Sequence, residues 1–211
     1  MNLALFDFDG TITTADTFTP FLRFAVRRGR ILVGSVIFGP LMLGYRLRLV
    51  SARRARPFVA RFGFQGEEAA VVRQLGREYA CAIIPGLVRR RALERIEWHK
   101  RQGDVVVVVS GSLDVYLRCW CESMGVDVIC TELEENGGTL TGRYFRGDCS
   151  GAEKVRRIRE RYDLPRYSLI YAYGDTDEDR EMLGLAHEKY YRWRKIADWH
   201  EATGLGVQHP R

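Results

Sequence analysis

No two cysteines in this chain stand at a CxxC spacing, and the five present (Cys81, Cys119, Cys121, Cys130, Cys149) are an odd number. That pattern argues against a secreted disulfide framework and against a thiolate zinc site, and it fits reduced thiols in a cytoplasmic protein. The four histidines are not clustered, so an imidazole-rich metal site has no support. The start of the chain lacks a charged stretch followed by an apolar run, and no secretory signal is expected. The apolar segment "ILVGSVIFGPLMLGY" (31 to 45) falls short of the roughly 20 residues that a spanning helix needs. Pro40 and the glycines at 34, 39 and 44 would interrupt it further. Internal repeats and low-complexity tracts are absent too.

Acidic residues are missing from one long stretch. Between Thr17 and Gly66 there are ten arginines and no Asp or Glu, although the whole chain carries only +6. A single-sign field of this kind attracts anionic partners such as phosphate groups or acidic lipid headgroups. The alternative is a solvated helical face. The 31 to 45 segment, flanked by Arg30 and Arg46, likewise reads either as a buried hairpin of helices or as an interfacial segment held by its arginines.

What is present is an alternation of strand and helix signals. "LALF" leads a buried strand into a turn, and five consecutive valines (105 to 109) make the strongest strand signal. Helices are expected from Asp16 to about Arg28, Ser51 to Phe62, Glu67 to Cys81, Gly86 to Gln102, Leu113 to Met124 and 151 to 162. Further strands are expected at 126 to 130, 168 to 175 and 189 to 193, with a hairpin around Asn136-Gly137-Gly138. The pattern predicts an α/β fold with a Rossmann-like parallel sheet, made of residues 1–14 and 86–211, and a helical cap at 15–85 inserted after the first strand.

Ligands of open parallel sheets bind beyond the carboxyl ends of the strands. Polar groups gather at those ends here: Asp7 and Asp9, then Ser110 and Gly111, then Asp175 and Asp179, with Lys154 near a helix start. Alternation along a strand starts Asp7 and Asp9 on the same side. Carboxylates crowded together resist joint ionisation unless a cation joins them, and an oxygen-rich donor set suits Mg²⁺. Lys154 and Ser110 would then hold a phosphate.

"DFDGT", "VVVVVSGS", "GAEK" and "YGDTDED" resemble the four motifs of the haloacid dehalogenase superfamily, and the position of the cap resembles its phosphoserine phosphatase-like branch. The resemblance implies a phosphatase. Asp7 would be the nucleophile that forms an aspartyl-phosphate, and Asp9 the acid and then the base. Ser110, Gly111 and Lys154 would bind the phosphoryl group. Asp7, the backbone carbonyl of Asp9 and Asp175 would hold Mg²⁺, with Asp179 supporting them.

Phosphoserine phosphatases carry a glutamate nine residues after the nucleophile; Asp16 stands there in this chain. The apolar, arginine-flanked cap is closer in character to the phosphatidylglycerophosphatase C type. Asp16, Arg53 and Arg56 are therefore candidates for substrate specificity. The expected partner is a phosphorylated small molecule or a lipid headgroup, with peripheral membrane contact through 30–46, in the cytoplasm or at the inner face of the membrane. Nucleic acid is not expected, because Phe18, Phe21 and Phe24 recur as a packed helix face rather than a stacking platform. A soluble metabolite phosphatase and a non-catalytic anion-binding module are the alternatives.

Overall fold

β1 (Leu3–Phe6) lies at the centre of a seven-stranded sheet and is buried along its whole length. A computed structural model of the chain describes residues 1–27, 29–34 and 52–199, with the side chains of 52–54 excepted. Most of the 31 to 45 segment, and the side chains of Arg53 and Arg54, lie outside the described residues.

The four apolar residues of β1 are required because both faces of the sheet are covered. Leu3 and Leu5 pack in one layer with Val107, Val109, Ile170 and Ala172. Ala4 and Phe6 pack in the other with Val106, Val108 and helical residues from the segment between β1 and β2. Each buried Leu or Phe contributes about 1.5–3 kcal/mol, so neither layer is dispensable.

Beyond β1 the sheet contains β2 (Val105–Leu113), β3 (Asp127–Asn136), β4 (Thr139–Phe145), β5 (Ile170–Gly174), β6 (Glu188–Tyr191) and β7 (Arg194–Ile196), in the order β4-β3-β2-β1-β5-β6-β7. β1 pairs in parallel with β2 and β5 on either side, and Phe6 is in register with both Val108 and Tyr173. Three strands therefore finish at one edge, and the loops leaving them are neighbours. β3 and β4 form the expected hairpin, with Gly137 and Gly138 both at positive φ as its tight turn requires.

The helices are α1 (Phe18–Ala25), α2 (Ala52–Phe64), α3 (Ala69–Ala82), α4 (Arg90–Arg101), α5 (Asp114–Met124), α6 (Ala152–Arg161) and α7 (Arg180–Gly184). α1 stops at Ala25, short of the expected Arg28, because Val26 is extended, and residues 29–34 are helical again. α4 begins at Arg90, after a short turn at Ile84–Gly86 that Pro85 starts. β7 was not expected from the sequence.

α1, α2 and α3 fall between β1 and β2 in the chain. Where this insertion leaves and rejoins the sheet, residues 12–14 lie beside 87–89: the Thr14 N–H donates to the Leu87 carbonyl and the Arg89 N–H to that of Ile12. The inserted helices also rest on the hairpin, through Gly66 and Leu140. Phe21 fills the junction, packing its ring on Phe64, Tyr79 and Tyr116. Phe18 is buried as the helix-face reading requires, whereas Phe24 is exposed.

Candidate active site

Asp7 follows β1 in extended conformation, and Phe8–Ile12 then close into one wide turn with Gly10 at φ 80°. Glycine is needed there twice over. An L side chain is strained at that φ, and a Cβ on residue 10 would collide with the carboxylate of Asp175. The turn thereby presses the end of β1 against the end of β5, where Thr11 Oγ1 donates to Asp175 Oδ1 at 3.1 Å.

Asp7, Asp175 and Asp179 bring one carboxylate oxygen each to within 4.8 Å of one another. The ammonium of Lys154, carried in by α6, donates to Asp7 Oδ1 and to Asp179 Oδ1, both at 2.6 Å. The other oxygen of Asp179 accepts from the N–H groups of Asp175 and Thr176, so this carboxylate ties the β5 loop to α6.

Burial pushes the Asp7 carboxyl well above its usual range; the charges of Asp179 and Asp175 push the same way, and only Lys154 opposes them. Asp175 is pushed up to about 6, chiefly by burial and then by Asp179. Burial works against the charge of Lys154 as well, but Asp179 and Asp7 outweigh it and keep the ammonium charged. Three carboxylates around one ammonium leave an excess of negative charge, and this all-oxygen donor set fits a hard divalent cation.

Asp9 is held elsewhere. Its Oδ1 accepts from the N–H and hydroxyl of Thr17, at 2.8 and 2.7 Å, and its Oδ2 accepts from Ser112 Oγ at 2.5 Å. Among the described residues its carboxylate is not part of the acidic cluster. The expectation that alternation starts Asp7 and Asp9 on the same side is corrected: β1 ends at Phe6, and the turn sends the Asp9 carboxylate to Thr17 and Ser112 instead. The backbone carbonyl is what remains of Asp9 as a candidate ligand. Burial raises its pKa, the nearby Asp16 adds to that, and Arg56 opposes it.

Ser110 is buried on β2 and accepts from the Ser112 N–H at 3.0 Å. Asp16 accepts from the N–H groups of Phe18 and Thr19, both at 3.1 Å, and so caps the start of α1. Arg56 departs from the solvated-face alternative. Its side chain is only 14% exposed and its Nη1 lies 3.6 Å from Glu178. Burial disfavours its charge, but Glu178, Asp148, Asp9 and Asp16 hold it firmly protonated. One member of the acid-free arginine stretch therefore points inward to the site.

Sequence reasoning missed Ser112, Thr17, Asp148 and Glu178. Ser112 had a signal, since it stands two residues beyond Ser110 on the same strand. Thr17 and Asp148 had none, because the first depends on how the turn after β1 folds back and the second on contacts between distant segments.

A family model described as haloacid dehalogenase-like hydrolase matches residues 4–184. Protein CicA of Caulobacter vibrioides is 33% identical over 193 residues, which cover 90% of this chain and 85% of that protein. A solved structure of a Bordetella pertussis Tohama I protein of unknown function superposes with a TM-score of 0.76 at 20% identity, covering 90% of this chain and 89% of the other. A phospho-aspartyl intermediate analogue of phosphoserine phosphatase superposes with a TM-score of 0.64, also at 20% identity, covering 90% and 85%.

Proposed function

The chain belongs to the haloacid dehalogenase-like hydrolases, and from that premise we propose that it is a Mg²⁺-dependent phosphatase that hydrolyses phosphate monoesters through an aspartyl-phosphate on Asp7. Asp7 attacks phosphorus while the bond to the leaving oxygen breaks, and the proton of Asp9 passes to that oxygen. Asp9, now ionised, takes a proton from a water that attacks the phosphorus, releasing phosphate and freeing Asp7. Ser110 and the backbone at Gly111 hold the phosphoryl oxygens, and Lys154 balances their charge. Mg²⁺ held by Asp7, Asp175 and the Asp9 carbonyl, with Asp179 in support, would supply further neutralisation of the phosphate charge.

The observation that carries this reading is the division of labour between the two aspartates. Asp7 is paired with a charged lysine, as an ionised nucleophile must be. Asp9 sits apart from that lysine and from the acidic cluster, held by Thr17 and Ser112 on the side of the inserted helices, where a leaving oxygen can meet it. Asp7→Asn is expected to lower turnover of p-nitrophenyl phosphate in Mg²⁺ by about 10³-fold or more, with an unchanged circular dichroism spectrum. Retained turnover would overturn the assignment, and turnover undiminished by EDTA would remove the metal.

For the substrate, the first candidate is a lipid or other anionic phosphate at a membrane surface. Phe24, Leu32, Val33 and Phe58 are exposed on the inserted helices; Arg27 and Arg30, close in sequence to the first three, both pair with Glu67. Contact through 30–46, whose apolar run is shorter than a spanning helix needs, would be peripheral. The second candidate is a small soluble phosphate, favoured by the inward turn of Arg56, which shapes the site rather than the surface. Sedimentation with anionic vesicles at low salt separates the two. The complete set of Asp7, Asp9, Lys154 and Asp175 weighs against a non-catalytic module.

A further inference from the structure

The described buried side-chain polar atoms without a hydrogen-bond partner are the Tyr144 hydroxyl, both carboxylate oxygens of Asp148, and the Ser150 hydroxyl. Tyr144 stands near the end of β4, and Asp148 and Ser150 lie on the short segment that joins the hairpin to α6 and so to Lys154. A carboxylate withdrawn from water with neither oxygen satisfied costs several kcal/mol, so a fold retains one where something else completes it.

Asp148 stands at the edge of the phosphate site. A Cβ added to Gly111, the residue after Ser110, would lie 3.4 Å from Asp148 Oδ1 and 2.5 Å from Arg56 Nη1. Gly111 thus forms a bare floor beneath a carboxylate from the core and a guanidinium from the inserted helices. Tyr144 completes the group, since its hydroxyl feels the charges of both Asp148 and Arg56.

The charge there is unbalanced. Glu178, Asp148, Asp9 and Asp16 all act on the single guanidinium of Arg56. Among the described side chains, the carboxylates acting on this guanidinium outnumber it. Arg56 reaches Glu178 and makes no hydrogen bond to Asp148.

We infer that Asp148, with the Tyr144 hydroxyl beside it, forms a subsite for an ammonium group carried by the substrate a few bonds from its phosphate. This deepens the phosphatase reading and rests on it for the position of the phosphate. The substrate class is an aminoalkyl phosphate monoester. Its source is either a soluble metabolite or a long-chain amino-alkyl phosphate presented by a membrane, and both carry the same ammonium.

The test compares 2-aminoethyl phosphate with n-propyl phosphate, a neutral counterpart of similar size, on the full chain with Mg²⁺. A charge-assisted hydrogen bond predicts about tenfold or greater preference in kcat/KM for the amine, expressed mainly in KM. Asp148→Asn is expected to reduce that ratio severalfold, and Tyr144→Phe to reduce it less. Equal values in the unmodified protein, or a ratio unmoved by Asp148→Asn, overturn the proposal; the first holds even if the variant does not fold.

p-Nitrophenyl phosphate serves as the control. If no ester is turned over, the phosphatase reading has failed, and the subsite is then decided by binding. A rise in Tm with 2-aminoethylphosphonate that exceeds the rise with propylphosphonate, and that Asp148→Asn removes, supports it; equal rises overturn it. A long-chain 2-aminoalkyl phosphate in neutral vesicles, turned over faster than the soluble amine, assigns the membrane source. The reverse order assigns the soluble one.

Discussion

The two ends of the site are built on opposite terms. At the strand ends, every charged group has a partner: Lys154 spans Asp7 and Asp179, Thr11 holds Asp175, and Thr17 with Ser112 holds Asp9. Toward the inserted helices, the side-chain oxygens of Asp148 and Tyr144 have no hydrogen-bond partner, and Arg56 is surrounded by carboxylates. A group already satisfied within the fold is committed to one geometry, which suits chemistry common to all phosphate esters. A buried group left unsatisfied has its free energy to gain from a ligand, which suits recognition of the part that differs between substrates.

The committed end should be the more sensitive to damage. Lys154→Ala leaves Asp7 and Asp179 buried without their cation. Turnover of p-nitrophenyl phosphate is expected to fall about 10³-fold, and removing one partner of a buried ion pair typically costs 3–5 kcal/mol of stability. Because a divalent ion can replace part of the lost charge, the drop in Tm should be larger in EDTA than in Mg²⁺. A drop that is the same in both would mean that the acidic cluster does not bind the ion.

Ser112→Ala tests the hold on Asp9 without touching phosphate. A kcat loss of about tenfold is expected for an alkyl phosphate. The loss should be smaller for p-nitrophenyl phosphate, whose leaving group needs little protonation. Equal losses on both esters would show that Ser112 supports structure rather than the position of the proton.

The smallest effect lies outside both ends. Asp114, where β2 passes into α5, accepts from the Leu133 N–H, yet burial pushes its carboxyl up to about 6. A folded pKa above the unfolded value gives stability that is present below about pH 4 and is lost as pH rises through about 6. At most this is about 3 kcal/mol, lessened by the group's partial exposure. Thermal melts from pH 4 to 7 should therefore show a shallower decline for Asp114→Asn than for the unmodified chain. Parallel declines would mean that Asp114 is ionised throughout.

Much of the fold was legible because its signals are local. The valine run, the apolar β1 and the Asn-Gly-Gly turn each carry their own reason for strand or hairpin, and all appear in place. The end of α1 at Ala25 and the extra strand β7 were not legible, since neither has a strong local breaker or period. Within the candidate site, Asp7, Ser110, Lys154, Asp175 and Asp179 were named from strand ends and motif spacing, and the structure draws Asp7, Lys154, Asp175 and Asp179 into one cluster, with Ser110 on the neighbouring strand β2. Asp9 was placed with Asp7 by alternation, which fails once β1 gives way to a turn. Asp16 was read both as a helix cap and as a specificity residue. Its two hydrogen bonds to the start of α1 account for the cap, and the specificity role has no contact that requires it.

By itself, the sequence determined that this is an α/β hydrolase of the haloacid dehalogenase type whose carboxylates collect at strand ends, because periodicity and short-range motifs are properties of adjacent residues. Only the tertiary structure decided which carboxylate joins Lys154 and which joins Ser112, that Arg56 turns inward, and that Asp148 is left open beside Gly111. Those outcomes depend on burial and on distances between segments well separated in the chain, where the balance of charge and solvation is set by packing and not by adjacent residues.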